Sequence, residues 1–192
     1  LDPSESGTNW LFDWGIAENL LQVDEQGVIQ PWLAASVTRT DDTHWTIALR
    51  PNLTFQNGKP LDATAAVAAL NRQVAKAKAT RVYLEEGSVF TAVDDLHLTL
   101  TTPKPNAMVP AALASRDNAF QVYDVAAIEA AAGDSTKIVG QGAFTGPYAI
   151  TAWTPENLET ARYDGYWAGR PALANVTVKV VADEQARIAG VQ

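Results

Sequence analysis

Few side chains in this sequence have the types and spacing that covalent chemistry needs. The two histidines, His44 and His97, lie far apart and no cysteine accompanies them, so neither has a partner at metal-ligand spacing. The lack of cysteine also removes thiol catalysis and disulfide scaffolds. Glu85-Glu86 and Asp94-Asp95 are adjacent carboxylate pairs. Neighbours on a strand point to opposite faces, so neither pair converges on a substrate as acid–base catalysis requires. There is no Gly-x-Ser-x-Gly elbow. A hydrolase therefore stays an alternative without a motif. Six tryptophans offer faces on which sugar rings stack, which makes a carbohydrate-binding module the other alternative class. Gly140-Gln141-Gly142-Ala143-Phe144-Thr145-Gly146 is rich in glycine. Such a loop can approach a ligand backbone or phosphate, but a lone glycine cluster reads first as a turn.

Composition narrows the classes further. Of 192 residues, 47% are hydrophobic and 19% charged, which suits a globular chain and not a disordered one. The net charge of −8, with no Lys/Arg stripe, leaves no footprint for nucleic acid. No apolar run reaches the roughly 20 residues of a membrane helix. The chain opens at Leu1-Asp2-Pro3 without an export signal, so any such signal is expected to have been removed or to lie outside this sequence.

The elements alternate short strands with helices. Trp10, Trp14, Ala17 and Leu21 recur at helical spacing and predict a helix over 10–21, with Glu18 and Asn19 on its other faces. Asp24-Glu25-Gln26-Gly27 is a turn, and 29–35 is a short apolar stretch broken by Pro31. Large and small residues alternate over 45–49, as in a half-buried strand. Asn57-Gly58 supplies a tight turn. Asp62 is placed to cap a helix with a core stripe of Val67, Leu70 and Val74, and Lys76 and Lys78 suit its C-terminal end. A hairpin is expected over 89–93 and 96–100, joined by Asp94-Asp95. Asn106 is placed to cap a short helix through Leu113. Asp124 is placed to cap another over 125–132, with Gly133 as its stop. Three strands follow, over 148–153, 158–162 and 176–181, and a helical pattern begins near Asp183.

Four stretches carry a family pattern in order and spacing. The first is Leu1-Asp2-Pro3, then Glu18-Asn19-Leu20, then Gly27-Val28-Ile29-Gln30-Pro31-Trp32-Leu33-Ala34. The second is Trp45-Thr46-Ile47-Ala48-Leu49-Arg50-Pro51 with Phe55-Gln56-Asn57-Gly58-Lys59-Pro60-Leu61-Asp62-Ala63. The third is Gly146-Pro147-Tyr148. The fourth is Arg162-Tyr163-Asp164-Gly165-Tyr166-Trp167 with Arg170-Pro171-Ala172-Leu173. Together they resemble the peptide/nickel-binding extracellular solute-binding proteins of ABC importers, family 5, over nearly the whole chain. Physically these motifs describe a fold more than a site: strand aromatics, a turn, and an aromatic anchor under a loop.

The resemblance implies an α/β fold (α+β, mixed sheet) of the type II periplasmic-binding-protein kind, with lobe one only of a two-lobed binder. Residues 1–192 would be the N-terminal lobe. Subdomain a would take about 1–40 plus 140–192, and subdomain b about 41–139. The second lobe would be absent from this chain, which is expected to stop where the crossing into that lobe begins. The implied function is to capture a small solute, a di- or oligopeptide or a nickel–chelator complex, in an interlobe cleft and deliver it to a membrane permease. The protein would not be an enzyme and would have no cofactor, any metal entering only as part of a bound chelate. It would be a monomer with no nucleic-acid partner. It would sit in the periplasm or outside the cell, with lipid anchoring as one option.

The resemblance also implies ligand-binding positions. Arg116, in Ala114-Ser115-Arg116-Asp117, falls where the nickel branch has an arginine that grips chelator carboxylates; a guanidinium forks onto a carboxylate through two parallel hydrogen bonds. The bland reading is a surface arginine paired with Asp117. Tyr83 stands at the branch's aromatic position. Thr80 stands at its second arginine position with Arg81 adjacent, a departure that puts nickel-chelate specificity in doubt. Tyr83 would stack on ligand and Arg81 would supply charge, against a reading of Tyr83 as core and Arg81 as solvated. Trp10, with Leu11, falls near a cleft-lining position, against a core reading shared with Trp14. The Gly140–Gly146 loop is longer than the family's usual Gly-Thr-Gly-Pro turn. Arg116 tips the ligand toward a compact chelate anion or an anionic peptide.

Overall fold

The computed structural model describes residues 1–5, 8–116 and 120–190. Its helices are α1 (Trp10–Asp13), α2 (Ala63–Lys76), α3 (Val109–Ala114), α4 (Val125–Ala130) and α5 (Glu184–Ala189). Its strands are β1 (Leu21–Val23), β2 (Ile29–Pro31), β3 (Ala34–Arg39), β4 (His44–Leu49), β5 (Val89–Ala92), β6 (His97–Thr101), β7 (Tyr148–Trp153), β8 (Asn157–Arg162) and β9 (Asn175–Lys179). All pairings are antiparallel: a β1-β2 hairpin, a sheet of order β3-β4-β6-β5, and a sheet of order β7-β8-β9.

The four-stranded sheet has one dry face. Trp45, Ile47 and Leu49 of β4 point the same way as Leu98 and Leu100 of β6 and Phe90 of β5, and all are buried. Period-two alternation puts every second side chain there. Helix α2 covers this face with Ala66, Ala69, Leu70 and Val74. The alanines let its backbone come close, and each fully buried Leu, Ile or Phe contributes about 1.5–3 kcal/mol. Asp62 starts α2 by accepting from the Ala65 amide at 2.8 Å, and Asp124 caps α4 in the same way. Asp94 and Asp41 each hold a hairpin turn and accept a hydrogen bond from the histidine three residues on, His97 and His44.

The expected helix over 10–21 stops after one turn. Gly15 takes φ +67°, and the amides of Ile16 and Ala17 both donate back to the Leu11 carbonyl. A left-handed residue with backward hydrogen bonds ends a helix. The chain then runs extended, so Glu18 and Asn19 are buried rather than on an outer face. The apolar periodicity of Trp10, Trp14, Ala17 and Leu21 reflects a shared core and not one helix. The stretch over 29–35 resolves into β2 and the start of β3, separated by Trp32-Leu33. Asn106 accepts from the Met108 amide, one step ahead of α3, so it fixes the entry to that helix without capping it.

Candidate functional site

Helix α3 is anchored by the buried side chains of Val109, Ala112, Leu113 and Ala114. Its exit is set by Asn19, whose Nδ2 donates to the Ser115 carbonyl at 2.9 Å. The next residue, Arg116, is thereby thrown out beside α1. Its guanidinium lies over the Phe12 ring, 5.8 Å from the centroid. One Nη stands 3.6 Å from Asp13 Oδ1, with the two side chains 66% and 40% exposed. Asp117, the partner named by the bland reading, lies outside the described residues.

Trp10 and Asp13 are three residues apart on α1, and such pairs share a helix face. Trp10 packs on Trp14, ring centroids 4.6 Å apart. It borders an apolar cleft of about 290 Å³ with Trp14, Trp153 and Val178. On its other flank it borders a cleft of about 510 Å³ with Asp2, Glu5 and Ile138. Leu11 is fully buried and faces the core instead. The structure thus brings Trp10 and Arg116 to one short helix, and adds Phe12 and Asp13. Those two carried no signal in the sequence, because their neighbour is about a hundred residues away.

Tyr83 and Arg81 lie elsewhere, after α2. Tyr83 is half-buried and borders a cleft of about 220 Å³ with Val82, Glu85, Pro103, Lys104 and Met108. Asn106 holds its carbonyl at 2.7 Å. Lys104 and Glu85 pair at 3.1 Å across the rim. Arg81 is exposed, its guanidinium 3.5 Å from the Ala75 carbonyl. Thr80, which replaces the expected arginine, is fully buried and donates to the Ala77 carbonyl at 2.6 Å. A long cation has no room in that role here.

A second polar centre was missed. Glu18 is 3% exposed. Its Oε1 accepts from Trp32 Nε1 at 2.7 Å and from the Tyr166 hydroxyl at 2.5 Å; its Oε2 accepts from Trp167 Nε1 at 3.2 Å. Burial pushes the carboxyl up to about 7 against the pull of these donors. Burial and the nearby carboxylate push the Tyr166 phenol well above its ordinary range. Arg50 stacks on Trp167 at 4.8 Å and donates from Nε to the Trp32 carbonyl. Parts of two of the four family-like stretches therefore meet at one carboxylate, and Arg50 of a third packs on two of its donors, which makes Glu18 a structural hub.

The glycine-rich loop packs on protein. Gly142, at φ +60°, would place a Cβ 2.6 Å from the Asn57 amide, and Gly146 would place one 2.3 Å from the Gly15 carbonyl. Glycine is needed there for backbone to meet backbone. Among the described residues, no three His, Cys, Asp or Glu side chains cluster as a metal site would. Trp45 is buried, and Trp167 is packed against Trp32 and covered by the Arg50 guanidinium, so these two rings offer no sugar platform.

Residues 28–192 match the family model described as bacterial extracellular solute-binding proteins, family 5 Middle. The chain belongs to this family. The family 5 chain is 28% identical over 176 residues to the nickel-binding protein NikA of Staphylococcus aureus, covering 91% of this chain and 33% of that protein. It is 29% identical over 193 residues to the glutathione-binding protein GsiB of Escherichia coli, covering 91% and 34%. Both are named as binding proteins, not enzymes. In structure it is similar to a nickel ABC transporter protein from Bacillus halodurans, with TM-score 0.81 and 34% identity over 99% of this chain and 38% of that one. It is also similar to S. aureus NikA in complex with Ni(L-His)2, with TM-score 0.84 and 26% identity over 99% and 38%. The chain spans about a third of the length of these curated relatives. The mixed α/β architecture is that of the family 5 binding proteins. No helix among the described residues is long and apolar enough to cross a membrane.

Proposed function

We propose that this chain is part of the substrate-capturing component of an ABC import system, holding a small solute against α1 and Arg116 and passing it to a membrane permease. The solute is a di- or oligopeptide or a nickel–chelator complex. The residues here form the first lobe of a two-lobed monomer, and a second lobe from sequence outside them closes the cleft. We draw the subdomain boundary near Leu33 rather than about 40, because β3 pairs with β4 and so belongs to the four-stranded sheet. The protein works in the periplasm or outside the cell, with lipid anchoring as one means of retention. It has no cofactor of its own, and any metal arrives inside the chelate.

The observation that carries this reading is the display of Arg116. Its guanidinium is two-thirds exposed, and its ion pair with Asp13 is longer than a hydrogen bond. Exposed pairs of this kind contribute about 0.2–1 kcal/mol, so a ligand carboxylate binding through both forks displaces little. Phe12 supplies an apolar ring beside it, and Trp10 lines an apolar cleft on the same short helix. Tyr83 offers a second ligand-contacting patch in its own cleft, with the exposed Arg81 two positions before it supplying charge.

Native mass spectrometry of the full-length protein, purified without denaturation, tests the reading. A carboxylate-bearing small molecule should co-purify with the wild type and be lost from Arg116→Ala, while the thermal midpoint of the ligand-free protein stays unchanged. Retention of the same adduct by Arg116→Ala would sink the assignment. A metal-containing adduct or a ladder of peptide masses would decide between the two solute classes.

A further inference from the structure

We infer that Asp13 is a specificity-determining residue, and that the Asp13–Arg116 pair selects a carboxylate that carries a positive group beside it. This inference rests on the ligand site proposed above. Arg116 by itself would favour any anion. Yet the structure places a carboxylate 3.6 Å from the guanidinium, on the same helix face as Trp10. At that separation neither group uses up its hydrogen-bonding capacity on the other, and both side chains are open to solvent. The exposed pair therefore presents a plus and a minus charge side by side, with the Phe12 ring against the plus.

A bare polycarboxylate that reaches Arg116 brings its charge next to Asp13. Two like charges at about 4 Å near a protein surface repel strongly enough to weaken binding about tenfold or more. A ligand with a cation next to its carboxylate meets the opposite situation. Its carboxylate takes the guanidinium and its cation takes Asp13, so both charges gain a partner and none is buried alone. An amino acid or a dipeptide has this chemistry, because its ammonium and carboxylate lie within a few bonds of each other, whereas a longer extended peptide separates its ends by about 3.3–3.6 Å per residue. A divalent cation held by amino-acid carboxylates has it too. Neither tricarboxylates nor N-blocked peptides do.

Isothermal titration calorimetry on the full-length protein tests this with four probes: L-alanyl-L-alanine, its N-acetylated form, nickel with L-histidine, and tricarballylate. The wild type should bind the dipeptide or the nickel–histidine mixture at least about tenfold tighter than N-acetyl-dipeptide and tricarballylate. Which of the first two binds, and whether histidine alone suffices, identifies the source of the positive group. Asp13→Asn, which is nearly isosteric, should bring the four probes to within about threefold of one another, chiefly by tightening tricarballylate; Asp13→Glu should keep the discrimination. Unchanged ratios in Asp13→Asn, or a wild-type preference for tricarballylate, would overturn the inference. If Arg116→Ala abolishes binding while Asp13→Asn leaves the ratios intact, the ligand site stands and the role of Asp13 falls. If Arg116→Ala binds every probe normally, or no probe binds the wild type, both fall together.

Discussion

The Tyr166 hydroxyl donates a 2.5 Å hydrogen bond to the Glu18 carboxylate across 148 positions of sequence. With Trp32 and Trp167 bonding the same carboxylate, this contact ties the loop after β8 to the segment between α1 and β1. Replacing Glu18 by Ala leaves three partly buried donors without an acceptor. Each costs about 1–3 kcal/mol, so urea unfolding should show a loss of about 3–5 kcal/mol. A loss under about 1 kcal/mol would mean that water takes over the acceptor role.

The same carboxyl predicts a pH dependence. Its folded value of about 7 lies above the ordinary 4.5. The folded state therefore holds the proton where the unfolded state has lost it. The stabilisation is complete below about 4.5 and is lost as pH rises through about 7. The thermal midpoint should fall between about pH 5 and pH 8, by the equivalent of roughly 2–3 kcal/mol in ΔG. In Glu18→Gln this slope should flatten. A wild type and a Gln variant with parallel pH profiles would refute the assignment.

Arg72 makes the opposite case at low pH. Its guanidinium donates to both Asp2 oxygens, at 2.7 and 2.6 Å, and to the Tyr123 hydroxyl at 2.8 Å. Burial raises the Asp2 carboxyl, but the bonds from Arg72 and Ser4 overcome it and hold the group down at about 2. That stabilisation is present above the ordinary 3.8 and is lost as pH falls toward 2. Removing one partner of a largely buried pair costs about 3–5 kcal/mol. Arg72→Ala should therefore unfold at markedly lower urea and lose the steep part of its acid transition, read by circular dichroism against pH.

Two glycines with similar backbone angles should respond differently to alanine. Gly142 and Gly133 both have positive φ, but only Gly142 faces a backbone atom within 3 Å of a new Cβ. Gly133→Ala should cost about 1–2 kcal/mol, the left-handed penalty alone. Gly142→Ala should cost clearly more, because the Asn57 backbone must move. Equal thermal shifts for the two would show that the loop over 140–146 yields freely.

Much of the local structure was legible because its causes are local. The alternation over 45–49, the Asp62 and Asp124 caps and the Asp94-Asp95 hairpin each depend on residues within a few positions, and each took its expected form. The first helix was misread for a related reason. Apolar spacing over 10–21 satisfies a helix and a folded-back chain equally, and Gly15 decides between them only when Pro147 and Tyr148 pack against it. The proposed site is legible in one partner only. Its motif singles out Arg116, whereas Phe12 and Asp13 gain meaning only from where α3 ends.

By itself, then, the sequence determined the family, the order of most strands and helices, and which turns and caps would form, since those follow from neighbouring side chains and backbone preferences. Tertiary structure alone decided which polar groups would be buried and which charges would meet. Glu18 became a hub, and Asp13 came to face Arg116, because those environments are assembled from segments about a hundred or more residues apart, and no periodicity within one segment encodes what another will bring to it.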